Sequence, residues 1–483
     1  MRRLIYKAEG RPGSGKTETV LQALPMLTGK GSRVVIALPT IALIAEVEQR
    51  IDDLGLACKR IDSSTDTNAN KVRVVDKLNT ALIHEKHSIL LCTQQSMQNV
   101  NPESLSGWTL IIDELPKVVS YIDYSFDENE TNRLFVHLEE VDKKLSIKDG
   151  HEADLKQIMK SDCDGVRGGT SSTWSNAVLD IFRLLLLRLD VFIEALDKSG
   201  NRLVRAVEEI SSWWSIFSVA DEVHVLAANV VGEFEVFAQI HGFEFEQSVF
   251  TPPAGAYECP ITIYPMVRQA SRFSQTKMIA RTEQGRNIDL VLRTALANTG
   301  STPLLSANKW GELHSTPNVH YLPKDNRGLN QYSNATEAIA LFGGNPSRAD
   351  KLNLQYLAGK YGLSNDTIEN AFITTRLLEP SLQFVTRTAI RNPGNTKPIR
   401  LFVQDERVAN YLVSSYLENA KVDWSLSECL PRKEDKREVD QESKALVLSL
   451  FAQGMSARQI SRETELHRAT VTKIKFQAQQ QAA

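Results

Sequence analysis

A glycine-rich segment near the start of the chain combines residue types that bind phosphate. Residues 10–17 read GRPGSGKT and fit the pattern G-x-x-x-x-G-K-S/T between an apolar stretch and a helical one. Glycines let backbone N–H groups surround phosphate oxygens, and the helix that follows adds the positive end of its dipole. Lys16 suits the β and γ phosphates, and the Thr17 hydroxyl suits Mg²⁺. The residues expected to form this site are Gly10, Gly13, Ser14, Gly15, Lys16 and Thr17.

An acidic pair follows the apolar stretch at residues 110–112. Asp113 is placed to hold Mg²⁺, and Glu114 to orient or deprotonate an attacking water. Carboxylates often cap strand ends, so the pair gains its meaning from the phosphate-binding segment upstream. Together the two segments predict hydrolysis of ATP, with Thr17 and Asp113 as the metal ligands and Lys16 and Glu114 at the reacting phosphate.

The elements that must position these residues are indicated by apolar stretches that alternate with helical ones. Continuous apolar strands separated by helices are typical of a parallel, doubly wound sheet. We therefore predict an α/β fold with two lobes, at residues 1–250 and 251–426. Helix-favouring sequence over 132–145, 176–196 and 203–217 predicts a helical insertion at 121–220 of the first lobe. The predicted strands are 4–8, 33–38, 88–92, 110–112, 222–231, 302–306, 319–322, 338–342 and 399–403, with helices that start at Thr17 and Ile41.

The acidic pair continues as Asp113-Glu114-Leu115-Pro116 and, after the phosphate loop, resembles the box of superfamily-two helicases of the DEAD/DEAH type. Residues 37–40 (ALPT) are similar to the family's motif Ia, and residues 92–95 (CTQQ) to its later strand-end threonine motif. The resemblance implies two RecA-like lobes, ATP with Mg²⁺ between them, and a nucleic-acid strand contacted by Thr40 and Thr93. A threonine after a strand is also an ordinary helix N-cap, and this alternative stays open for both.

Three further segments resemble motifs of the second lobe and of the lobe junction. Residues 327–330 (RGLN) are similar to motif V, which implies nucleotide contacts by Gly328 and Asn330, although a glycine turn would look the same. Residues 383–391 (QFVTRTAIR) resemble motif VI, with Gln383 implied at the nucleotide and one of two arginines at the γ-phosphate. Arg387 and Arg391 are four residues apart, which predicts one helix face and leaves open which of them acts; a solvated basic face is the alternative. The candidate for motif III is 226–229 (LAAN).

The last part of the chain predicts a separate helical module. A charged linker at 427–442 precedes 443–483, where three short helices with a core of Leu446, Leu450, Ile460, Leu466, Val471 and Ile474 are expected. This module resembles the helix-turn-helix of resolvases and transposases, which implies that its third helix enters the major groove of duplex DNA. A helical tail that packs on the core or on a partner protein is the alternative. The residues implied in DNA contact are Arg468, Thr470, Thr472, Lys473 and Lys475.

Composition restricts how the protein can hold nucleic acid and in which compartment it is expected. The 56 basic and 59 acidic residues give a net charge of −3, so nucleic acid must be held by local basic surfaces. Five scattered cysteines without C-x-x-C spacing predict a reducing compartment, and the basic start lacks the apolar core of a signal peptide. Charges interrupt the most apolar stretch, 178–196, which we interpret as a buried helix. We expect a cytoplasmic protein without a membrane partner.

The function predicted from these features is that of an ATP-dependent DNA helicase or translocase. Its core would hold single-stranded DNA and its last module duplex DNA, since the major groove of B-DNA accepts a helix and that of A-form RNA does not. This combination is associated with replication or maintenance of mobile elements. Two alternatives remain: an ATP-switched DNA-binding regulator without unwinding activity, and an RNA helicase with a tail that docks on a partner.

Overall fold

The computed structural model of the chain describes residues 3–65, 72–84, 86–168, 174–311, 318–324, 332–430 and 441–464, together with residues 466, 468, 470–472, 474 and 475. The chain divides into two compact units, Met1–Cys429 and Leu430–Ala483. Within the described residues, the first unit is built on β-sheets and the second is helical.

The strands of the first unit follow one another with helices between most of them. They are β1 Arg3–Glu9, β2 Arg33–Leu38, β3 Lys59–Ile61, β4 Ile89–Thr93, β5 Trp108–Asp113, β6 Val119–Phe126, β7 Leu138–Val141, β8 Lys144–Ile147, β9 Val191–Ile193, β10 Arg202–Glu209, β11 Glu222–Ala227, β12 Phe243–Gln247, β13 Ile261–Pro265, β14 Arg281–Thr282, β15 Gly285–Arg286, β16 Leu304–Ala307, β17 His320–Tyr321, β18 Glu337–Leu341, β19 Ile399–Val403 and β20 Lys421–Val422.

The helices are distributed over both units. They are α1 Lys16–Gly29, α2 Ile41–Asp53, α3 Val74–His84, α4 Gln94–Met97, α5 Glu128–His137, α6 Glu152–Gly168, α7 Asn176–Leu186, α8 Ser212–Val219, α9 Glu233–Ile240, α10 Gln275–Ile279, α11 Asn287–Ala297, α12 Arg348–Tyr361, α13 Asn365–Ile373, α14 Glu379–Val385, α15 Glu406–Ser415, α16 Gln441–Ala452 and α17 Ala457–Glu463. A π-helical turn, Thr374–Leu378, joins α13 to α14.

The first lobe is a parallel sheet of seven strands in the order β12-β1-β11-β5-β2-β4-β3. Its central strands are continuous apolar runs, as in β2, where five of six residues are buried, because helices cover both faces. The predicted strands at 4–8, 33–38, 88–92, 110–112 and 222–231 are confirmed as β1, β2, β4, β5 and β11. The two edge strands, β3 and β12, were not predicted, since each carries charged residues and resembles a surface loop in sequence.

The second lobe is also a parallel sheet, with six strands in the order β17-β16-β18-β19-β13-β20. The predicted strands at 302–306, 319–322, 338–342 and 399–403 correspond to β16, β17, β18 and β19. Buried side chains of the two lobes form one continuous hydrophobic core, and α9 of the first lobe packs against α13 of the second. The phosphate-binding loop and the arginine segment therefore belong to lobes that are in contact.

The insertion of the first lobe is not helical, and this prediction was wrong. Five antiparallel strands in the order β6-β10-β9-β8-β7 form its sheet, with α5, α6 and α7 around a separate hydrophobic core. Each stretch predicted as one long helix contains both helix and strand: 132–145 becomes the end of α5 with β7 and the start of β8, 176–196 becomes α7 with β9, and 203–217 becomes β10 with α8. Short strands and the helices next to them have similar apolar content, so the periodicity of apolar residues alone did not distinguish them.

The insertion sheet also contacts the second lobe. Arg205 of β10 donates from Nη1 to Asn353 Oδ1 of α12 at 3.1 Å, and Asn353 Nδ2 donates to the Ala206 carbonyl oxygen at 3.3 Å. Farther along α12, the Tyr356 hydroxyl donates to Asp190 Oδ2 at 2.7 Å. The insertion is thus fixed to both lobes rather than projecting from the first lobe alone.

The second unit contains α16 and α17, joined through Gly454, which has a φ of 82°. Ser456 caps α17 through a capping box with Gln459. Val447, Ile460, Val471 and Ile474 are buried together, with Leu450 and Leu466 partly buried beside them. Leu446 was assigned wrongly to this core: it is 49% exposed, and the next residue occupies the buried position.

No helix in the described part of the chain is long and apolar enough to cross a membrane. Within the apolar stretch at 178–196, α7 ends at Leu186 and β9 begins at Val191. The thiols of Cys58, Cys92, Cys259 and Cys429 are free.

Candidate nucleotide-binding site

The phosphate-binding loop lies between β1 and α1. Gly13 and Gly15 both have a φ of 83°, a left-handed conformation that glycine adopts without steric cost. Gly10 is needed for a different reason, because a Cβ atom there would lie 2.7 Å from Pro252 Cγ and 2.8 Å from Ser14 Oγ. The glycine spacing of the sequence therefore produces a tight loop that leads directly into the first turn of α1.

The ammonium group of Lys16 lies inside this loop. Its Nζ donates to the carbonyl oxygens of Gly10 at 2.6 Å and Arg11 at 3.3 Å. Burial lowers the pKa of Lys16 to about 8, while the negative charge of Asp113 opposes that shift. A buried cation is costly unless it is paired, and the incoming phosphate oxygens would supply that pairing.

Asp113 stands at the end of β5, within reach of the first residues of α1. The Thr17 hydroxyl donates to Asp113 Oδ1 at 3.3 Å. Burial raises the pKa of Asp113 to about 6, and the charge of Lys16 and the hydrogen bond from Thr17 act against it. Hydroxyl and carboxylate oxygens are the ligands that Mg²⁺ takes from proteins beside substrate phosphates. The donor set thus fits a magnesium ion.

Two buried polar atoms at the loop have no hydrogen-bond partner among the described residues: Ser14 Oγ and Arg391 Nε. Buried polar groups are normally satisfied, and a hydroxyl and a guanidinium N–H can both donate to phosphate oxygens. The residues present therefore fit a magnesium-bound nucleoside triphosphate.

The backbone at Glu114 is strained, and a glutamine holds it in place. Glu114 has a φ of 68°, and its backbone N–H donates to the Leu226 carbonyl oxygen at 2.8 Å. Gln94 Nε2 donates to the carbonyl oxygens of Asp113 at 2.8 Å and Glu114 at 3.0 Å. Left-handed backbone at a non-glycine residue is uncommon and concentrates at functional sites. Gln94 and β11 together fix the direction of the acidic pair.

Both arginines of the 383–391 segment lie near Glu114 of the acidic pair, but not on one helix face. Helix α14 ends at Val385, Arg387 follows its cap, and Arg391 ends a 3₁₀ turn that begins at Ala389. The prediction that the two share a helix was wrong, since the helix ends before either arginine. Burial lowers the pKa of both arginines, that of Arg391 to about 10, and the charge of Glu114 opposes the shift in each.

Arg391 is the arginine that touches the phosphate loop. A Cβ atom at Gly13 would lie 3.0 Å from Arg391 Cγ, 3.2 Å from its Cβ and 3.3 Å from its Cδ. The charge of Arg391 also contributes to the lowered pKa of Lys16. The second lobe thus places a guanidinium beside the loop of the first.

The segment between the lobes covers the loop from another side. The Tyr257 hydroxyl donates to the Pro12 carbonyl oxygen at 2.8 Å, and the Arg11 guanidinium lies 4.6 Å from the centre of the Tyr257 ring. Arg11 Nη1 donates to the Ala256 carbonyl oxygen at 2.6 Å. Both sides of the loop are therefore anchored, one by Arg391 and the other by the connecting segment.

Asn229, from the segment compared with motif III, bridges the two lobes. Its Nδ2 donates to Glu379 Oε1 of α14 at 2.7 Å and to the Tyr411 hydroxyl oxygen of α15 at 3.1 Å. The Tyr411 hydroxyl also donates to Glu379 Oε1. Burial raises the pKa of Glu379, while these two donors and the charge of Lys16 lower it. A single amide at the end of β11 therefore connects the second lobe to the surroundings of the loop.

A second bridge lies just beyond this amide. The Glu233 backbone N–H donates to Thr375 Oγ1 of the π-helical turn at 2.9 Å. Gly232 has a φ of 80°, and a Cβ atom there would lie 2.5 Å from Thr375 Oγ1. The lobes approach so closely here that only glycine fits.

Three other predicted residues are caps or members of helices. Thr40 and Thr93 cap α2 and α4, accepting from Leu43 N at 3.2 Å and Ser96 N at 3.0 Å, so the local role proposed as an alternative is present. Gln383 lies half-buried on α14. Gly328 and Asn330 lie outside the described residues.

The predicted DNA-contacting residues belong to the second unit. Arg468, Thr472 and Lys475 are exposed and Thr470 is half-buried, whereas Lys473 lies outside the described residues. The ammonium of Lys475 is 4.7 Å from the centre of the Phe451 ring.

Sequence reasoning missed four residues of the site: Gln94, Tyr257, Glu379 and Tyr411. Gln94 directly follows the threonine of a segment that was singled out, and Glu379 lies four residues before Gln383, so both were close to recognised motifs. Tyr257 and Tyr411 carry no sequence signal, because only the packing of the second lobe brings them to the first.

Comparison with known proteins agrees with this geometry. Residues 3–137 match the family model of the DEAD/DEAH box helicase. No curated protein sequence matches the chain significantly. Among solved structures, S. tokodaii Xpd4 is similar at 10% identity, covering 87% of this chain and 96% of that one with a TM-score of 0.50. An XPD helicase is similar at 12% identity over 87% and 96%, with a TM-score of 0.53.

The family match and the structural likeness concern different features of the chain. At such low identity the structural likeness concerns the fold, that of a two-lobed helicase. The family match covers the phosphate loop and the acidic pair, whose side chains Thr17 and Asp113 meet in the structure. Residues 3–137 are thus similar to a DEAD/DEAH-box helicase domain, and the chain is a nucleic-acid-dependent ATP hydrolase.

Proposed function

We propose that the chain is an ATP-dependent DNA translocase or helicase that hydrolyses ATP between its two lobes. The observation that carries this proposal is the packing of Arg391, from the second lobe, against Gly13 of the phosphate loop. A site that needs side chains from both lobes couples hydrolysis to the distance between them, and lobe closure and opening is the motion that would move a bound strand.

Each residue of the site has a defined task in this proposal. Lys16 binds the β and γ phosphates, and Thr17 and Asp113 hold Mg²⁺, which neutralises phosphate charge when bound. Glu114, fixed by its strained backbone, orients the attacking water and accepts its proton. Arg391 stabilises the charge that develops on the transferred phosphoryl group, because its planar guanidinium donates from several N–H groups at once. The remaining loop contacts come from Gly10, Gly13, Ser14 and Gly15.

The bridge at Asn229 supports coupling between hydrolysis and lobe movement. The segment 226–229 lacks the hydroxyl residues usual in motif III, which favoured a nucleotide switch without strand separation. Asn229 nevertheless bonds to Glu379 and Tyr411 of the second lobe. The Gly10 N–H of the loop donates to the Ala227 carbonyl oxygen at 3.3 Å, so the segment that carries Asn229 links the loop to α14 and α15.

We further propose that the second unit binds duplex DNA. Arg468, Thr472 and Lys475 are exposed, so basic and hydroxyl groups are available for phosphate and base contacts. The first lobe would contact the single strand through Thr40 and Thr93, in addition to their capping roles. Gly328, Asn330, Gln383 and Lys473 keep the roles implied by the resemblance.

The decisive experiment measures ATP hydrolysis by the full chain without nucleic acid and with single-stranded DNA, duplex DNA and RNA. We expect DNA to stimulate hydrolysis strongly, and Lys16→Ala to abolish it. Lys30→Ala, in the exposed turn after α1, is the matched lysine control and should retain the wild-type rate. A rate that no polymer changes would contradict the translocase and leave a nucleotide-switched binding protein.

A second measurement tests the DNA-binding unit in the intact chain. Arg468→Ala combined with Lys475→Ala should weaken binding to duplex DNA and reduce its salt dependence, since fewer phosphate contacts release fewer counterions. Lys444→Ala on α16 serves as a control with the same kind of charge loss. Stimulation by RNA alone, with unchanged duplex binding in the double variant, would favour an RNA helicase with a docking tail.

A further inference from the structure

Three metal-binding side chains converge in the insertion of the first lobe, away from the phosphate loop in sequence. His137 ends α5, His151 immediately precedes α6, and Asp154 lies in its first turn. His137 Nδ1 is 3.2 Å from His151 Nδ1, and His151 Nδ1 is 3.3 Å from Asp154 Oδ2. Across the part of the chain that the structure describes, no other group of three His, Cys, Asp or Glu side chains brings its ligand atoms so close together.

The spacing of these atoms matches that of ligands around one small ion. Zn²⁺ binds imidazole nitrogen and carboxylate oxygen at about 2.0–2.1 Å in tetrahedral geometry, which places neighbouring ligand atoms about 3.3–3.4 Å apart. The two measured distances, 3.2 and 3.3 Å, are of this size. The three residues each offer a ligand atom within 4.8 Å of the other two, so an ion between them would require only a small movement of the side chains.

Hydrogen bonding among the three groups alone is incomplete. A neutral imidazole has one N–H donor and one acceptor nitrogen, and His151 Nδ1 faces both a second imidazole nitrogen and a carboxylate oxygen. If His151 Nδ1 carries the proton, its one N–H is shared between the His137 nitrogen and the Asp154 oxygen. If His151 Nδ1 carries no proton, it and the Asp154 carboxylate are two acceptors that face each other. A cation satisfies all three atoms at once, because each then donates an electron pair to it.

The surroundings fix the orientation of one of the histidines. The His137 ring packs edge-on against Trp174, at 6.0 Å between ring centres, and against Phe182, at 6.1 Å. These aromatic contacts hold the His137 ring in place beside His151.

We propose that His137, His151 and Asp154 form a Zn²⁺ site that clamps the end of α5 to the start of α6. Two imidazoles and one carboxylate are a donor set typical of zinc. The side chain of Asp154 is 54% exposed, which leaves room for water to complete the tetrahedron. Strands β7 and β8 connect the two helices, so the ion would close this segment of the insertion into a loop. The site is independent of the proposed helicase activity.

Metal binding by the full chain is the direct test. After treatment with a chelator, the protein is dialysed against Zn²⁺ in the presence of excess Mg²⁺, which occupies the oxygen ligands of the phosphate site, and bound zinc is counted by mass spectrometry. One equivalent per chain is expected. His137→Asn and His151→Asn should each weaken binding at least 100-fold, and Asp154→Asn at least 10-fold. His84→Asn and Asp149→Asn, two exposed positions outside the cluster, should leave it unchanged.

Co²⁺ provides a readout on the wild-type chain, so the proposal stays testable even if a variant fails to fold. Co²⁺ in the site should give the intense visible absorption of tetrahedral coordination and quench the fluorescence of Trp174, which lies against His137. The quenching should disappear in Trp174→Phe while the absorption remains. Failure to bind zinc, binding that survives His137→Asn with His151→Asn, or an unchanged Trp174 emission would each overturn the proposal.

Discussion

Replacement of Arg391 by alanine should affect catalysis and stability in opposite directions. The guanidinium is expected to favour phosphoryl transfer, but its burial as a charged group destabilises the folded state. Arginines that stabilise phosphoryl transfer contribute about 10³-fold or more to kcat. Arg391→Ala should therefore lower kcat by about 10³-fold, equivalent to about 4 kcal/mol at 1.36 kcal/mol per tenfold. Its position against Gly13 predicts that this loss exceeds the loss caused by Arg387→Ala.

The effect on folding follows from the same geometry. Burial lowers the pKa of Arg391 from 12.5 to about 10, so the charged form costs the folded state about 3.5 kcal/mol at roughly 1.4 kcal/mol per pKa unit. Alanine removes that cost but also removes two methylene groups that pack on Gly13, worth about 0.8 kcal/mol each. The free energy of unfolding should thus rise by about 2 kcal/mol.

Both quantities are measurable on one set of variants. Steady-state hydrolysis at saturating ATP and DNA gives kcat, and urea unfolding gives the free energy of unfolding. Arg391→Lys keeps the charge without the planar fork, so its kcat should lie between those of the wild type and Arg391→Ala. A kcat of Arg391→Ala within tenfold of the wild type, or a free energy of unfolding lowered by more than about 2 kcal/mol, would refute the reasoning.

Three further variants test other parts of the site. Asn229→Ala should lower the free energy of unfolding by about 1–3 kcal/mol, since buried Glu379 loses a hydrogen-bond donor. It should also reduce the stimulation of hydrolysis by DNA more than it reduces basal hydrolysis. Equal reduction of both rates would argue against coupling between hydrolysis and lobe movement. Gly232→Ala should lower the free energy of unfolding clearly more than Gly31→Ala does in urea titrations. Both glycines have a positive φ, but only at Gly232 would a Cβ atom lie within 4 Å of another atom. Equal losses of stability would count against close packing with Thr375. Asp113→Asn should abolish Mg²⁺-dependent hydrolysis yet raise the free energy of unfolding at pH 7 by about 3 kcal/mol. In the wild type the pKa of Asp113 is raised to about 6, so the free energy of unfolding falls as pH rises from about 4 to 6. The stability advantage of Asp113→Asn should therefore shrink as pH is lowered through this range. A difference that does not change with pH would show that Asp113 does not titrate there.

The parallel sheets and the phosphate chemistry were predictable because they depend on local sequence. A buried parallel strand such as β2 is apolar throughout, and the turn before α1 needs glycine where φ is positive, so both leave a direct pattern. The acidic pair at the end of β5 follows from the same strand. The insertion was misjudged because helices and short strands of similar apolar content alternate within 121–220, and their pairing into an antiparallel sheet is non-local.

Sequence by itself determined which residue types are suited to phosphate and metal, since the loop and the acidic pair each lie within a few consecutive residues. Tertiary structure alone decided which arginine meets the loop, because α14 ends before Arg387 and a 3₁₀ turn then directs Arg391 onto Gly13. It also decided that Asn229 meets Glu379, 150 residues along the chain. Contacts between lobes depend on how two finished sheets pack, and no local pattern records that packing.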